Sequence, residues 1–281
     1  MRLCRFGEAG QERPGMIAPD GSLRDLSGHV ADITPDVLAP AALARLAALD
    51  PASLPMVEGE FRYGAPVSGT RQFLAVGLNY ADHAAEANLP LPPEPVVFNK
   101  WVSCLQGPND PVIIPRGSEK TDWEVELGVV IGSPAYEVDE ADALDYVAGY
   151  CVINDISERA WQLEKGGTWD KGKGFPTFGP VGPWLVTGDE VGDPQNLSMW
   201  LDVNGQRMQN GHSGTMIFGV AHLVAYISRF VALLPGDIIT TGTPPGVGMG
   251  QKPEPRYLQV GDVMKLGIEK LGEQQQVCVA P

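Results

Sequence analysis

Asp122, Glu124 and Glu126 stand two residues apart in the run TDWEVELGVVIG (121–132). Side chains on a β-strand alternate between faces, so this spacing predicts three carboxylates on one face, ahead of a Gly-Val-Val-Ile run with the character of a buried strand. Like charges on a sheet face repel, and an ionised carboxylate is costly to bury without a partner. Two readings follow, a solvated strand face or a cation site. Asp155 closes the apolar run YVAGYCVIND, where a strand meets a loop. It is either a turn former or helix cap, a role for which Ser157 competes, or a further acid from a neighbouring strand end. Glu124, Glu126 and Asp155 together make an all-oxygen set of the kind that Mg2+ or Mn2+ takes. Trp123, Val125 and Leu127 then bury the opposite face, and Asp122 has a supporting or loop role.

Three other stretches carry chemistry-bearing residues. In NYADHAAEAN (79–88) helical spacing puts His83 and Glu86 one turn apart on one face. A carboxylate fixing an imidazole is the arrangement of a general base that activates water, and a chance pair on a solvated helix is the alternative. WDKGKGFPTFGP (169–180) places Lys171 and Lys173 in a glycine-rich loop, either as surface lysines or as positive charge for a carboxylate or enolate. TTGTPPGVGMG (240–250) has the glycine content of a phosphate loop, but fits neither GxxxxGK(S/T) nor GxGxxG and is followed by no helical pattern. Nucleotide binding is excluded there. Its backbone N–H groups, with Gly242 and Thr243, are expected to hold a substrate carboxylate.

The elements that position these residues are mostly strands. The chain of 281 residues holds 34 glycines and 25 prolines, about a fifth of its length, against roughly 12% for average usage. With no collagen-like period, that excess predicts many turns and short strands. The first sixty residues read as short strands (MRLCRF, GMIAPDG, LRDLS) and the helix PAALARLAALD (40–50), with PASLPMVEG as a linker. The rest is β-rich, interrupted by helices at 81–88 and 218–231. DVNGQ is a hairpin signal, because Asn-Gly accepts the positive φ angles of a tight turn. The fold expected is mostly β (α+β), with a small N-terminal α+β domain over 1–60 and one large domain over 61–281.

A net charge of −15 argues against nucleic-acid binding. Cys4, Cys104, Cys151 and Cys278 form no CxxC pair, and the N-terminal MRLCRFGEAG has no apolar signal core, so a cytoplasmic protein is expected. The apolar stretch FGVAHLVAYISRFVALL contains His222 and Arg229 and reads as a core helix, so no membrane partner is expected.

As an ordered set, VGLNYADHAAE, DWEVELGVVIG, DYVAGYCVINDISER, KGFPTFGP, NGQRMQNG…TMIF and PGDIITTGTPPGVG resemble the fumarylacetoacetate hydrolase superfamily over roughly residues 71 to 270. The resemblance implies a β-roll catalytic domain with an N-terminal cap, a homodimer or higher homo-oligomer, and one Mg2+ or Mn2+ per site. Carried over by motif, Glu124, Glu126 and Asp155 match the metal ligands. His83 and Glu86 match the water-activating dyad, and Lys173 the active-site lysine. Thr243, with Gly242 beside it, matches the contact to the substrate carboxylate. Leu78 and Tyr80 of VGLNY and His212 of NGHSGTMIF fall at expected substrate-binding positions. Several members have Arg where this chain has Leu78, which weighs against a second substrate carboxylate held there. The pattern is closest to hydrolases of 2,4-diketo-3-deoxy sugar acids such as L-2,4-diketo-3-deoxyrhamnonate, enzymes of carbohydrate catabolism often labelled ureidoglycolate lyase. The activity implied is hydrolysis of a carbon–carbon bond in a ketonic substrate, the C3–C4 bond of a 2,4-diketo acid, releasing pyruvate. Alternatives are an acylpyruvate hydrolase, an oxaloacetate decarboxylase, a dienoate isomerase-decarboxylase, or a non-catalytic metal-binding protein that keeps the fold.

Overall fold

Short strands separated by Gly- and Pro-rich turns account for most of the chain. A computed structural model describes residues 1–86 and 90–281, with all their side chains except those of residues 83–85. In the larger sheet, of ten strands, nine run edge to edge in the order Leu23–Asp25, Arg13–Ile17, Arg2–Phe6, Gly179–Val186, Val147–Asn154, Val125–Ile131, Ile238–Thr240, Phe73–Gly77 and Val96–Lys100. Leu105–Gln106 pairs alongside Gly179–Val186. A five-stranded sheet runs Gln206–His212, Ser198–Val203, Val263–Ile268, Gly272–Val279, Val112–Ile113. Val125–Ile131 is buried at every position, as expected of a central strand covered on both faces.

The Asn-Gly hairpin forms as its residues require. Asn204 and Gly205, at φ 51° and 77°, link Ser198–Val203 to Gln206–His212. Two helices are shorter than the periodicity predicts, Pro40–Ala47 and Val220–Ser228, and the third is described over Ala81–Glu86. Residues 87 and 88 of the expected 81–88 helix lie outside the described residues. Among the described residues no helix is long and apolar enough to cross a membrane. All four cysteines are buried and free.

The first sixty residues are not set apart from the rest. Their outer strands extend the ten-stranded sheet, where Arg2 and Leu3 pair with Val186 and Leu185. Leu26, Ile33 and Leu38 pack in the same apolar cluster as Phe73 and Leu185. The segment where composition changes is itself tied in, with Leu54 in the same apolar cluster and the amide of Val57 donating to the Leu23 carbonyl at 2.9 Å. Buried amides join the two sheets, with Asn154 donating to Gln276 Oε1 (2.9 Å) and Gln274 to the carbonyls of Val152 (2.7 Å) and Gly182 (2.9 Å).

Candidate active site

Two neighbouring strands bring the acids together. Val125–Ile131 runs antiparallel to Val147–Asn154 with Glu126 opposite Ile153, and the amide of Asp155 donates to the carbonyl of Glu124 at 2.9 Å. One carboxylate oxygen from each of Glu124, Glu126 and Asp155 lies within 4.8 Å of the others, and all three residues are buried. The strand is not continuous through the acidic run. Thr121–Asp122 pairs with Ser157–Glu158, and the regular ladder resumes only at Val125. Asp122 consequently points elsewhere. It accepts from the amides of Gly248 (2.6 Å) and Met249 (3.0 Å) and from Arg159 Nε (2.8 Å).

Cations partner all but one of these acids. Arg159 Nη2 is 2.7 Å from Glu124 Oε1, and Lys173 Nζ lies 2.5 Å from Glu124 Oε2 and 2.9 Å from Asp155 Oδ2. Lys100 Nζ reaches the other oxygen of Asp155, Oδ1, at 2.7 Å. Burial opposes ionisation of Glu124, but Lys173 and Arg159 outweigh it and bring this carboxyl down to about 2. Burial likewise works against the Lys173 ammonium, and Asp155 and Glu124 prevail and hold it above its ordinary value. Glu126 differs. Its Oε2 accepts from Thr240 Oγ1 (2.5 Å) and the amide of Gly242 (2.9 Å), both neutral donors. Burial first, and then the charges of Asp155 and Glu124, push Glu126 well above the usual carboxyl range. Three converging buried carboxylates, one held only by neutral groups, fit a hard divalent cation, which oxygen donors bind and which would match the surplus negative charge.

A cavity of about 410 Å³ opens onto this cluster. Its polar lining includes Glu86, Glu124, Glu126, Arg159 and Lys173, and its apolar lining Leu78, Phe98, Trp169 and Met249. Trp169 lies over Gly77, where a Cβ would come within 2.1 Å of the ring, and meets Phe98 edge to face with centroids 5.3 Å apart. Lys171 is exposed and donates to the carbonyl of Lys165, so of the two loop lysines only Lys173 belongs to the site.

The 240–250 loop serves the site differently from the role its composition suggested. The amide of Gly242 is held by Glu126, that of Gly246 by Glu86 (3.1 and 3.2 Å to its two oxygens), and those of Gly248 and Met249 by Asp122. These N–H groups are committed to the protein's own carboxylates and are not free to receive a substrate's. Thr243 lines the cavity, but its hydroxyl donates to the Val125 carbonyl (2.9 Å) and accepts from Gln209 (2.8 Å), leaving no proton for a substrate carboxylate. Tyr80 is fully buried with its hydroxyl against Met199 Sδ (3.3 Å), away from the cavity lining. His212 accepts the Gly214 amide at 3.0 Å, capping the turn Ser213–Thr215, and is also absent from the lining. Leu78 does line the cavity, at φ 52°. Glu86 lines it from the helix Ala81–Glu86, three residues after His83, whose side chain lies outside the described residues.

Two residues of the cluster are absent from the sequence-level assignment, Arg159 and Lys100. The available signal is charge balance: several buried acids require buried cations, and NDISER and VVFNK each end on one.

Residues 72–279 match the family model described as fumarylacetoacetate (FAA) hydrolase C-terminal. A provisionally named hydrolase of Burkholderia multivorans (strain ATCC 17616 / 249), with no substrate in its name, is 65% identical over 277 residues, covering 99% of this chain and 98% of its own. The solved fumarylacetoacetate hydrolase from psychrophilic Exiguobacterium antarcticum is 32% identical, with a TM-score of 0.89 over 100% of both chains. Maleylpyruvate hydrolase from Sphingobium sp. SYK-6, solved in complex with manganese(II) ion and pyruvate, is 28% identical with a TM-score of 0.82, covering 100% of this chain and 99% of its own.

Proposed function

This chain belongs to the fumarylacetoacetate hydrolase family, and we propose that it hydrolyses the C3–C4 bond of a 2,4-diketo acid, giving pyruvate and a second acid. The substrate class we favour is a 2,4-diketo-3-deoxy sugar acid such as L-2,4-diketo-3-deoxyrhamnonate. The observation that carries the reading is the convergence of Glu124, Glu126 and Asp155, with Lys173 beside them, where Glu124, Glu126 and Lys173 line a cavity. It is supported by the Sphingobium relative, whose name and bound pyruvate belong to the same reaction class.

Glu124, Glu126 and Asp155 would hold Mg2+ or Mn2+. When bound, such an ion supplies Lewis-acid polarisation of the keto-acid oxygens and stabilisation of developing negative charge. His83 takes a proton from the water that attacks C4, and Glu86, anchored by the Gly246 amide, orients it. As the C3–C4 bond breaks, its electron pair passes into the enolate of pyruvate, which is then protonated at C3, while C4 leaves as the second carboxylate. The Lys173 ammonium is placed to balance the charge that develops beside Glu124. Leu78, Phe98, Trp169 and Met249 exclude water from the distal end and favour an uncharged, methyl-ended tail.

A second reading, a diketo acid with another acidic group, is favoured by Lys252. This exposed lysine lines the same cavity and takes part in no ion pair among the described residues. A substrate panel of 2,4-diketo-3-deoxy sugar acids, acylpyruvates, a dicarboxylic diketo acid and oxaloacetate, assayed for pyruvate, separates the readings. Pyruvate from the deoxy sugar acids, lost in excess EDTA and recovered with Mg2+ or Mn2+, is the expected result. Turnover that survives EDTA sinks the metal assignment, and silence from every diketo acid sinks the reaction.

A further inference from the structure

Lys100 ends the strand Val96–Lys100, is fully buried and lies off the cavity lining, so it cannot touch a substrate. Its ammonium has three N–H donors and three acceptors: Asp155 Oδ1 at 2.7 Å, the carbonyl of Lys173 at 2.6 Å and, more weakly, that of Ile156 at 3.5 Å. Burying an ammonium is costly, and an apolar side chain of similar volume would fill the space without that cost. The charge therefore has a polar task, and the partner that singles it out is Asp155.

The two oxygens of Asp155 are divided. Oδ1 belongs to Lys100. Oδ2 shares the Lys173 ammonium with Glu124 Oε2, so these two oxygens already converge on one cation. We propose that Lys100 makes Asp155 a one-oxygen ligand and so tunes the acidic site toward Mg2+ or Mn2+ and against Ca2+. Mg2+ demands octahedral geometry from single oxygens, whereas Ca2+ takes more ligands and accepts both oxygens of one carboxylate. Holding Oδ1 from behind denies the bidentate mode. The contact to the Lys173 carbonyl also ties the turn carrying the active-site lysine to the same anchor, which makes Lys100 a positioning residue. This inference rests on the metal site proposed above.

The test is calorimetric titration of Mg2+, Mn2+ and Ca2+ into the metal-free wild type, Lys100→Met and Lys100→Gln, each checked for folding by circular dichroism and thermal melting. Lys100→Met should shift the ratio of Ca2+ to Mg2+ affinity toward Ca2+ by about tenfold, and Lys100→Gln, whose neutral amide keeps a weaker hold on Oδ1, by a smaller factor in the same direction. A lysine with only a structural role would weaken all three ions in proportion, and an unchanged ratio in a folded variant overturns the proposal. Should the Met variant not fold, the Gln variant, which weakens the donor without removing it, reads the same shift at smaller amplitude. Wild-type protein that binds Ca2+ as tightly as Mg2+ would overturn the proposal without any variant. Failure of the wild type to bind any of the three ions would refute the metal site itself, and this inference with it.

Discussion

Near the N-terminal strands, Arg5 and Arg62 hold Glu12, Asp32 and Asp110, whereas at the cavity Arg159, Lys173 and Lys100 hold Asp122, Glu124 and Asp155. Each group has one more acid than it has cations, yet the surplus is handled differently. In the first, every carboxylate touches a guanidinium, and Asp32 and Arg62 keep 25% and 28% of their side chains in water, which screens the excess. In the second, Glu126 is 2% exposed and accepts only from neutral donors. A surplus charge costs little at a wet surface and much in a dry one, so the buried surplus is the mark of a site that takes a further cation.

The comparison breaks most visibly at Glu124. Glu124→Ala leaves Lys173 and Arg159 without their shared carboxylate and removes a metal-binding group. Turnover should fall by about a thousandfold, and denaturant unfolding should show a loss of about 3–5 kcal/mol. Retained turnover would mean that the cavity cluster is as structural as the N-terminal one. Glu126→Gln sharpens the contrast, since it keeps the acceptor for Thr240 and Gly242 but removes the carboxyl that burial and its acidic neighbours make costly to ionise. Metal binding and turnover should collapse, by about a hundredfold, while the metal-free protein melts about 3 °C higher. A lower melting temperature would show instead that the charge stabilises the fold. In the N-terminal cluster, Arg62→Ala should cost only about 1 kcal/mol and leave kcat unchanged.

The smallest effect is a pH dependence. Burial works against ionisation of Asp32 and Glu12, but Arg5 and Arg62 outweigh it and hold both carboxyls below their usual values. A depressed folded pKa contributes stability that is complete above the unfolded value, near 4, and is lost as the pH falls through the folded one. The melting-temperature gap between wild type and Arg5→Met should therefore be widest above about pH 5 and close toward pH 3. A gap that widens in acid would refute the assignment.

What could be read in advance depended on range. The convergence of Glu124 and Glu126 follows from the strand period, the bend at Asn204-Gly205 from local backbone preference, and Asp155 from its place at a strand end. The interruption after Asp122 was not legible, because it is imposed by pairing with Ser157–Glu158, some thirty-five residues away. Nor were Lys100 and Arg159, since a lone cation has no period and its role appears only when the acids it neutralises are assembled. Thr243 and the loop amides illustrate the converse. Their residue types suit anion binding, but the amides of Gly242, Gly246, Gly248 and Met249 meet the protein's own carboxylates, and the Thr243 hydroxyl meets a backbone carbonyl and Gln209. Composition changes near residue 60, but composition carries no information on long-range pairing such as that of Arg2 with Val186.

The glycine loop at 240–250 also bears on how this enzyme could change over generations. An added methyl group would meet Asn79 at 2.9 Å from position 242, the Met208 carbonyl at 2.0 Å from 246, the Arg256 carbonyl at 2.1 Å from 248, and Glu86 at 3.0 Å from 250. Each neighbour is backbone or part of the cluster around the site, with little freedom to yield. Randomised libraries at these four positions should return glycine, whereas libraries at Leu78, Phe98, Trp169 and Met249 should return varied survivors with altered substrate preference. New specificities in this lineage would then arise on the apolar wall, with the glycine loop inherited unchanged.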